Sequence, residues 1–188
     1  MRKLDEILQF NKIFVEDKEY LKYKTFKGNN KKLVIVSCMD TRLTELLPKA
    51  LNIKNGDAKI IKNAGASIMH PFGSTTRSIV VAIYEYNCDE VLVIGHHNCG
   101  MSNLNSKELL NKAYKKGITE ETIDILINAG IDIEKWLQGF NSVEESIKES
   151  VNAIKNHPLV PKDTIVHGLV IEPNTGKLEI VINGYERL

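Results

Sequence analysis

The sequence predicts an α/β protein, a mainly parallel β-sheet flanked by helices with an antiparallel strand at its edge. Three observations predict it. Two continuous apolar runs, LVIVSC from Leu33 and EVLVIG from Glu90, have the composition of strands buried on both faces, as parallel strands are. Segments of helical spacing alternate with these runs, which is the order of βαβ units. The terminal stretch TIVHGLVIEPNTGKLEIVI reads as two strands joined by a turn at Asn174-Thr175-Gly176, and such a pair adds the antiparallel edge.

Residues 1–29 form a charged, helix-prone arm in which Leu4, Ile7, Leu8 and Phe14 partly follow helical spacing. FKGNN breaks that pattern before the first apolar run. A helix is expected over Thr41–Leu51, then a turn at Gly56, then a second strand in AKIIKNAG that ends in the small-residue loop Ala64-Gly65-Ala66. Ile79, Ala82, Ile83 and Tyr86 share one face of a helix over Thr75–Tyr86. Beyond the Glu90–Gly95 strand, Lys107–Gly130 reads as polar with helical spacing, and Ser142–His157 as an amphipathic helix. With 188 residues, no internal repeat and no low-complexity linker, a single domain spanning 1–188 is expected.

Composition excludes several classes of function. A hydrophobic fraction of 43% and a charged fraction of 26% are ordinary for a globular protein. Lys+Arg 25 against Asp+Glu 24 leaves a net charge of +1, which offers no broad field for a nucleic acid. The pairs Lys31-Lys32 and Lys115-Lys116 are short enough to be solvated surface. No window approaches the ~20 apolar residues that span a bilayer, and MRKLDEILQF lacks the apolar run of a signal peptide. A cytoplasmic protein is therefore expected. Its three cysteines, odd in number and widely spaced, make a poor disulfide framework and are better read as metal ligands or nucleophiles.

Sheets of this kind place ligands at the carboxyl ends of their strands. The first strand ends in Cys38-Met39-Asp40-Thr41-Arg42, and the third in Gly95-His96-His97-Asn98-Cys99-Gly100. If the two strands are neighbours, Cys38, His96 and Cys99 converge. Two thiolates and an imidazole suit Zn²⁺, one ion per chain, and three protein ligands leave a fourth position for water, as in a catalytic site. A zinc held by three neutral histidines brings its water to a pKa of about 7. Two thiolates cancel the metal charge, so a higher value is expected here. Asp40 and Arg42, two and four residues beyond Cys38, are placed to help. A carboxylate held by Arg stays ionised and acceptor-only, so Asp40 can orient the proton of a zinc-bound hydroxide while Arg42 holds it.

Other candidates are weaker. Cys88 has no partner in sequence and reads as a small buried hydrophobe. His97 could carry protons but is more simply a surface or packing residue. His70 sits in a loop, His157 at a helix end, and His167 inside an apolar strand, where a hydrogen-bonded core residue is expected.

CMDTRL and GHHNCGM resemble the two zinc-binding signatures of β-class carbonic anhydrases, and KNAGA resembles that family's NAG loop. The likeness runs from about Lys31 to the C-terminus, with VHGLVIEPNTGKL similar to the closing strands of the short prokaryotic branch. The resemblance implies zinc ligands Cys38, His96 and Cys99, an Asp40–Arg42 dyad, pocket lining at Ala64 and Gly65, and a backbone donor at Gly100 beside the substrate. It implies reversible hydration of CO₂ to bicarbonate and a proton, by a homodimer or higher homo-oligomer. Thr41 departs from the usual Ser or Ala, and His97 occupies a position where small or polar residues are common.

Three rival functions share parts of this pattern. Some β-class relatives hydrolyse carbonyl sulfide or carbon disulfide, and the ligand motifs do not discriminate between the two. A thiol phosphatase needs Cys-x₅-Arg, whereas Arg42 follows Cys38 after only three residues, so that idea fails on spacing. A non-catalytic zinc sensor module would not need the dyad.

Overall fold

Every residue of β1 (Leu33–Cys38) is buried, which is why its sequence carries no polar alternation. The computed structural model describes residues 2–25 and 31–186; the break expected at FKGNN lies outside the described residues. On one side β1 pairs in parallel with β2 (Ala58–Asn63), and on the other with β3 (Glu90–His96). β4 (Ile165–Ile171) follows in parallel, and β5 (Leu178–Ile182) closes the sheet antiparallel, giving the order β2-β1-β3-β4-β5. The expected architecture is the one found.

Because the chain leaves β1 towards β2 and then returns to the other side for β3, the strand order reverses between β1 and β3. A crevice opens at the carboxyl ends of strands at such a point. Register makes those two ends level, since Ser37 lies opposite Ile94. Cys38 and His96 are therefore delivered to one place by topology.

Two helices cover one face of the sheet, α3 (Ser74–Tyr86) and α7 (Val143–Lys155). Their core joins Ile79, Ile147, Val151 and Ile154 to Val34, Val36, Val91 and Val93. Ile147, Val151 and Ile154 lie on one stripe of α7 and are fully buried, a contribution of about 1.5–3 kcal/mol each before entropy is charged. Ser142 starts that helix by accepting a hydrogen bond from the Glu145 N–H at 3.2 Å. The opposite face carries α2 (Leu43–Ala50), whose Leu43 and Leu47 pack on Ile35, Ile94 and Ile171. Cys38 and Cys99 belong to this second core.

The polar stretch of helical spacing over Lys107–Gly130 forms two helices. α4 (Ser106–Tyr114) ends before Gly117, whose φ of +97° is left-handed, and α5 (Glu120–Asn128) restarts with the Thr119 hydroxyl accepting from Thr122 N–H. With α6 (Ile133–Leu137) they enclose a small separate core of Leu110, Ile123 and Ile133. The N-terminal arm is helical as expected, with α1 (Lys3–Glu16) followed by a 3₁₀ turn at Glu19–Tyr23. No residue of α1 is buried; Leu4, Ile7 and Leu8 stand 63%, 63% and 57% exposed. Among the described residues, no helix is long and apolar enough to cross a membrane.

Candidate metal centre

Cys38 ends β1, His96 ends β3, and Cys99 follows in the turn that leaves β3. All three are buried, and their donor atoms lie within 4.8 Å of one another, a group that could hold a metal ion. The two sulfur atoms stand 3.7 Å apart. Two thiolates bound at about 2.3 Å to one tetrahedral zinc would be roughly 3.8 Å apart, so the spacing fits that ion without rearrangement.

The histidine is set for the same task. Its Nδ1 lies 2.8 Å from the His97 carbonyl, which can only accept, so Nδ1 carries the proton. The lone pair is then on Nε2, which is buried and has no hydrogen-bond partner. A buried polar atom left unpaired is costly, and a metal between the thiols would satisfy it.

The sulfurs are prepared unequally. Burial resists ionisation of Cys38, but the His96 ring, when it carries a second proton and pairs with the thiolate, and the backbone N–H groups of Asp40 and Gly65 outweigh it and bring the thiol down to about 7. Burial dominates at Cys99, where the Met101 N–H helps but the neighbouring Cys38 opposes, and the thiol is pushed up to about 11. One proton thus leaves easily and the second waits for a cation.

Beside the donors, Arg42 grips Asp40 with two parallel bonds, Nε to Oδ1 at 2.9 Å and Nη2 to Oδ2 at 2.8 Å. The Arg42 backbone N–H adds a third bond to Oδ1 at 2.9 Å. These contacts hold the Asp40 carboxyl far below the usual carboxylate range, the guanidinium bonds being the main cause. Asp40 Oδ2 is 3.8 Å from His96 Nε2, so the ionised carboxylate faces the donor cluster.

Gly65 (φ +79°) lies buried in the 3₁₀ turn Ala64–Ala66, directly after β2. A left-handed residue there turns its N–H back towards Cys38. Ala64 lines a cavity of about 500 Å³. Gly100 is exposed, and a Cβ built on it would meet open space. His97 is 3.5 Å from Glu179. Cys88, His157 and His167 are buried away from the cluster, and His167 accepts from the Gly184 N–H as a core residue should. Two further participants carry no signature in sequence. The Asn98 carbonyl accepts from Arg42 at 2.9 Å, and Phe140 packs against the core that holds both thiols.

A family profile described as carbonic anhydrase matches residues 33–178, the span that contains every residue of this cluster. The chain belongs to the β-carbonic anhydrase family. YvdA of Bacillus subtilis, provisionally assigned as a carbonic anhydrase, is 60% identical over 186 residues, covering 99% of this chain and 94% of that one. The crystal structure of β-carbonic anhydrase isoform I from Trichomonas vaginalis superposes with a TM-score of 0.89 at 36% identity, covering 98% of this chain and all of that one. A carbon disulfide hydrolase of Acidithiobacillus thiooxidans is 30% identical over 159 residues, or 80% of this chain and 77% of its own. As a β-carbonic anhydrase family member, the chain has relatives named for two different substrates.

Proposed function

We propose that this β-carbonic anhydrase family member catalyses the zinc-dependent reversible hydration of CO₂, in which CO₂ and water give bicarbonate and a proton. The observation that carries the reading is the buried Cys38–His96–Cys99 group with the ionised Asp40 carboxylate 3.8 Å from the unpaired His96 nitrogen. Those three residues would hold one zinc per chain, and zinc bound there would supply Lewis acidity and lower the pKa of water.

The chain's own residues do the rest. Asp40, acceptor-only because Arg42 keeps it ionised, takes a hydrogen bond from the nucleophilic oxygen and so points its free lone pair at the carbon. Arg42 holds the carboxylate and does not itself titrate. Ala64 and Gly65 line the substrate's approach, and the Gly100 backbone N–H stands ready to hold a substrate oxygen. Burial of all three donors keeps bulk water from competing for them. We place the activity in one domain, in the cytoplasm, in a homodimer or higher homo-oligomer. The exposed Leu4, Ile7 and Leu8 of α1, which nothing in the described chain covers, support self-association.

A second reading is hydrolysis of carbon disulfide or carbonyl sulfide at the same centre, favoured by the similarity to carbon disulfide hydrolase. Stopped-flow CO₂ hydration by protein of known zinc content, with a chelated control, separates the two. Fast zinc-dependent turnover supports the first. Inertness towards CO₂ with one zinc per chain rejects it in favour of the sulfur substrates or of a non-catalytic zinc module.

A further inference from the structure

Two cavities adjoin the metal centre. The larger, about 500 Å³, is bounded by Asn63, Ala64, His70 and Trp136 among others. The smaller, about 250 Å³, touches His96, Asn98 and Cys99. Among the described residues, Phe140 is the one that lines both.

Its ring is tightly placed. A Cβ built on Gly65 would lie 2.8 Å from Phe140 Cε1 and 3.2 Å from Met101 Cγ, so the ring edge rests on the backbone of the residue whose N–H reaches Cys38. The position is set by main chain. Phe140 N–H donates to the Met101 carbonyl at 3.2 Å, Asn103 N–H donates to the Phe140 carbonyl at 2.8 Å, and Gly139 N–H donates to the Leu104 carbonyl at 3.1 Å. The two segments are pressed so close that a Cβ on Gly139 would fall 2.1 Å from the Met101 carbonyl oxygen. Outside this clasp, the Gln138 side chain donates to the Leu104 carbonyl and accepts from Ser106, each at 3.1 Å. Five hydrogen bonds fix the backbone that carries Phe140, and close packing on Gly65 leaves the ring edge little room to swing aside for a bulky substrate.

We infer that Phe140 is a specificity-determining residue: it stands between the larger cavity, which Ala64 lines, and the smaller one, which His96 and Cys99 line, and it narrows the way from Ala64 to those donors so that CO₂ is admitted in preference to its bulkier sulfur analogues. The inference rests on the CO₂ hydration reading. CO₂ and CS₂ are both linear and apolar, so hydrogen bonding offers little to tell them apart. Sulfur is the larger atom and its bonds to carbon are longer, which leaves pocket size as the discriminating property. A rigid apolar wall can supply that discrimination, since one methylene in a pocket changes selectivity by about 10–200-fold.

The test uses the zinc-loaded full chain, its Phe140→Leu and Phe140→Ala variants, and two assays. One is stopped-flow CO₂ hydration; the other is CS₂ hydrolysis, in which CS₂ and two waters give CO₂ and two H₂S, followed by sulfide release. The ratio of kcat/KM for CS₂ to that for CO₂ should rise from wild type through Leu to Ala, by about tenfold or more at Ala. Zinc content should stay at one per chain. A ratio that does not move in fully loaded variants overturns the inference, as does an equal fall on both substrates. Loss of zinc from Phe140→Ala also counts against it unless Phe140→Leu, which keeps the apolar packing, retains zinc and shifts the ratio. A wild type inert towards CO₂ sinks the underlying reading and this inference with it; an active wild type with an unmoved ratio sinks this inference alone.

Discussion

Arg42 joins the two loops of the candidate centre: its Nη2 donates both to Asp40 Oδ2 at 2.8 Å and to the Asn98 carbonyl at 2.9 Å. Asp40 lies on the loop after β1, and Asn98 lies between His96 and Cys99, two of the candidate donors, where the chain leaves β3. One planar guanidinium therefore sets the distance between the carboxylate and the donors, a task for which the point charge of Lys is unsuited. Asn98 can present its carbonyl this way because its φ is +53°, a left-handed conformation that Asn tolerates and β-branched residues resist.

Arg42→Lys and Arg42→Ala should therefore keep zinc but lower kcat, by on the order of a hundredfold for Ala, because the carboxylate is no longer aimed. Asn98→Gly, which keeps the left-handed backbone, should stay near wild type, while Asn98→Val should lose activity. Steady-state kinetics on zinc-assayed protein checks both. If Gly and Val at position 98 proved equally impaired, the Asn98 side chain and not its backbone would be the important part.

Cys99→Ser should purify with zinc occupancy reduced by about tenfold or more, because a hydroxyl is neither as soft nor as readily ionised as a thiol. Elemental analysis after dialysis against a mild chelator reads this directly. Full occupancy in the variant would remove Cys99 from the ligand set.

The parallel order and the three-residue cluster were legible because both depend on strong local signals. LVIVSC and EVLVIG permit little except buried strands, and side chains at two strand ends can be paired by topology alone. The division of α4 from α5 was not legible. Both segments are polar with helical spacing, and only the left-handed φ at Gly117 and the cap at Thr119 separate them. The part Asn98 plays leaves no mark in the sequence, because it acts through a carbonyl, which every residue possesses. Phe140 lies far from Cys99 in sequence, in the unremarkable GFNS, and reaches Gly65 only through the Met101–Leu104 clasp.

Asp40 should not titrate across the working range. Its depressed pKa means that it stays ionised down to pH values well below the usual ~3.9. The sign for stability follows: the Arg42 pairing contributes above that unfolded value and is lost as pH falls through the lower folded one. A rise of kcat/KM on the alkaline side must then belong to another group, such as the water of a weakly acidifying metal. Asp40→Asn should lower the plateau of the profile and retain zinc. A midpoint abolished by that change would show that Asp40 itself had been titrating.

Gly95 precedes His96 and faces α7. A Cβ there would stand 2.6 Å from Val143 Cγ2 and 3.1 Å from Ile147 Cδ1. Gly95→Ala should therefore cost about 1–3 kcal/mol by overpacking, measured by denaturant unfolding. The adjacent histidine would shift with the strand, so zinc affinity should fall as well. Adding Val143→Ala should recover part of the loss, since the two positions are in contact; strictly additive losses would place the strain elsewhere.

Zinc uptake should release protons in a pH-dependent number. Cys38 is brought below the ordinary thiol value and Cys99 pushed above it, so the pair sheds its protons in two separated steps, with both protons held at about pH 6 and one at about pH 8.5. Binding needs both as thiolates, so loading the chelated protein should release about two protons from these thiols at the lower pH and about one at the higher. Affinity must rise with pH in step, because the protons compete with the metal for the same sulfur lone pairs. Calorimetric titrations in buffers of different ionisation enthalpy count the protons. An equal count at both pH values would mean that the two thiols are not ionising separately, and the asymmetry between Cys38 and Cys99 would have to be abandoned.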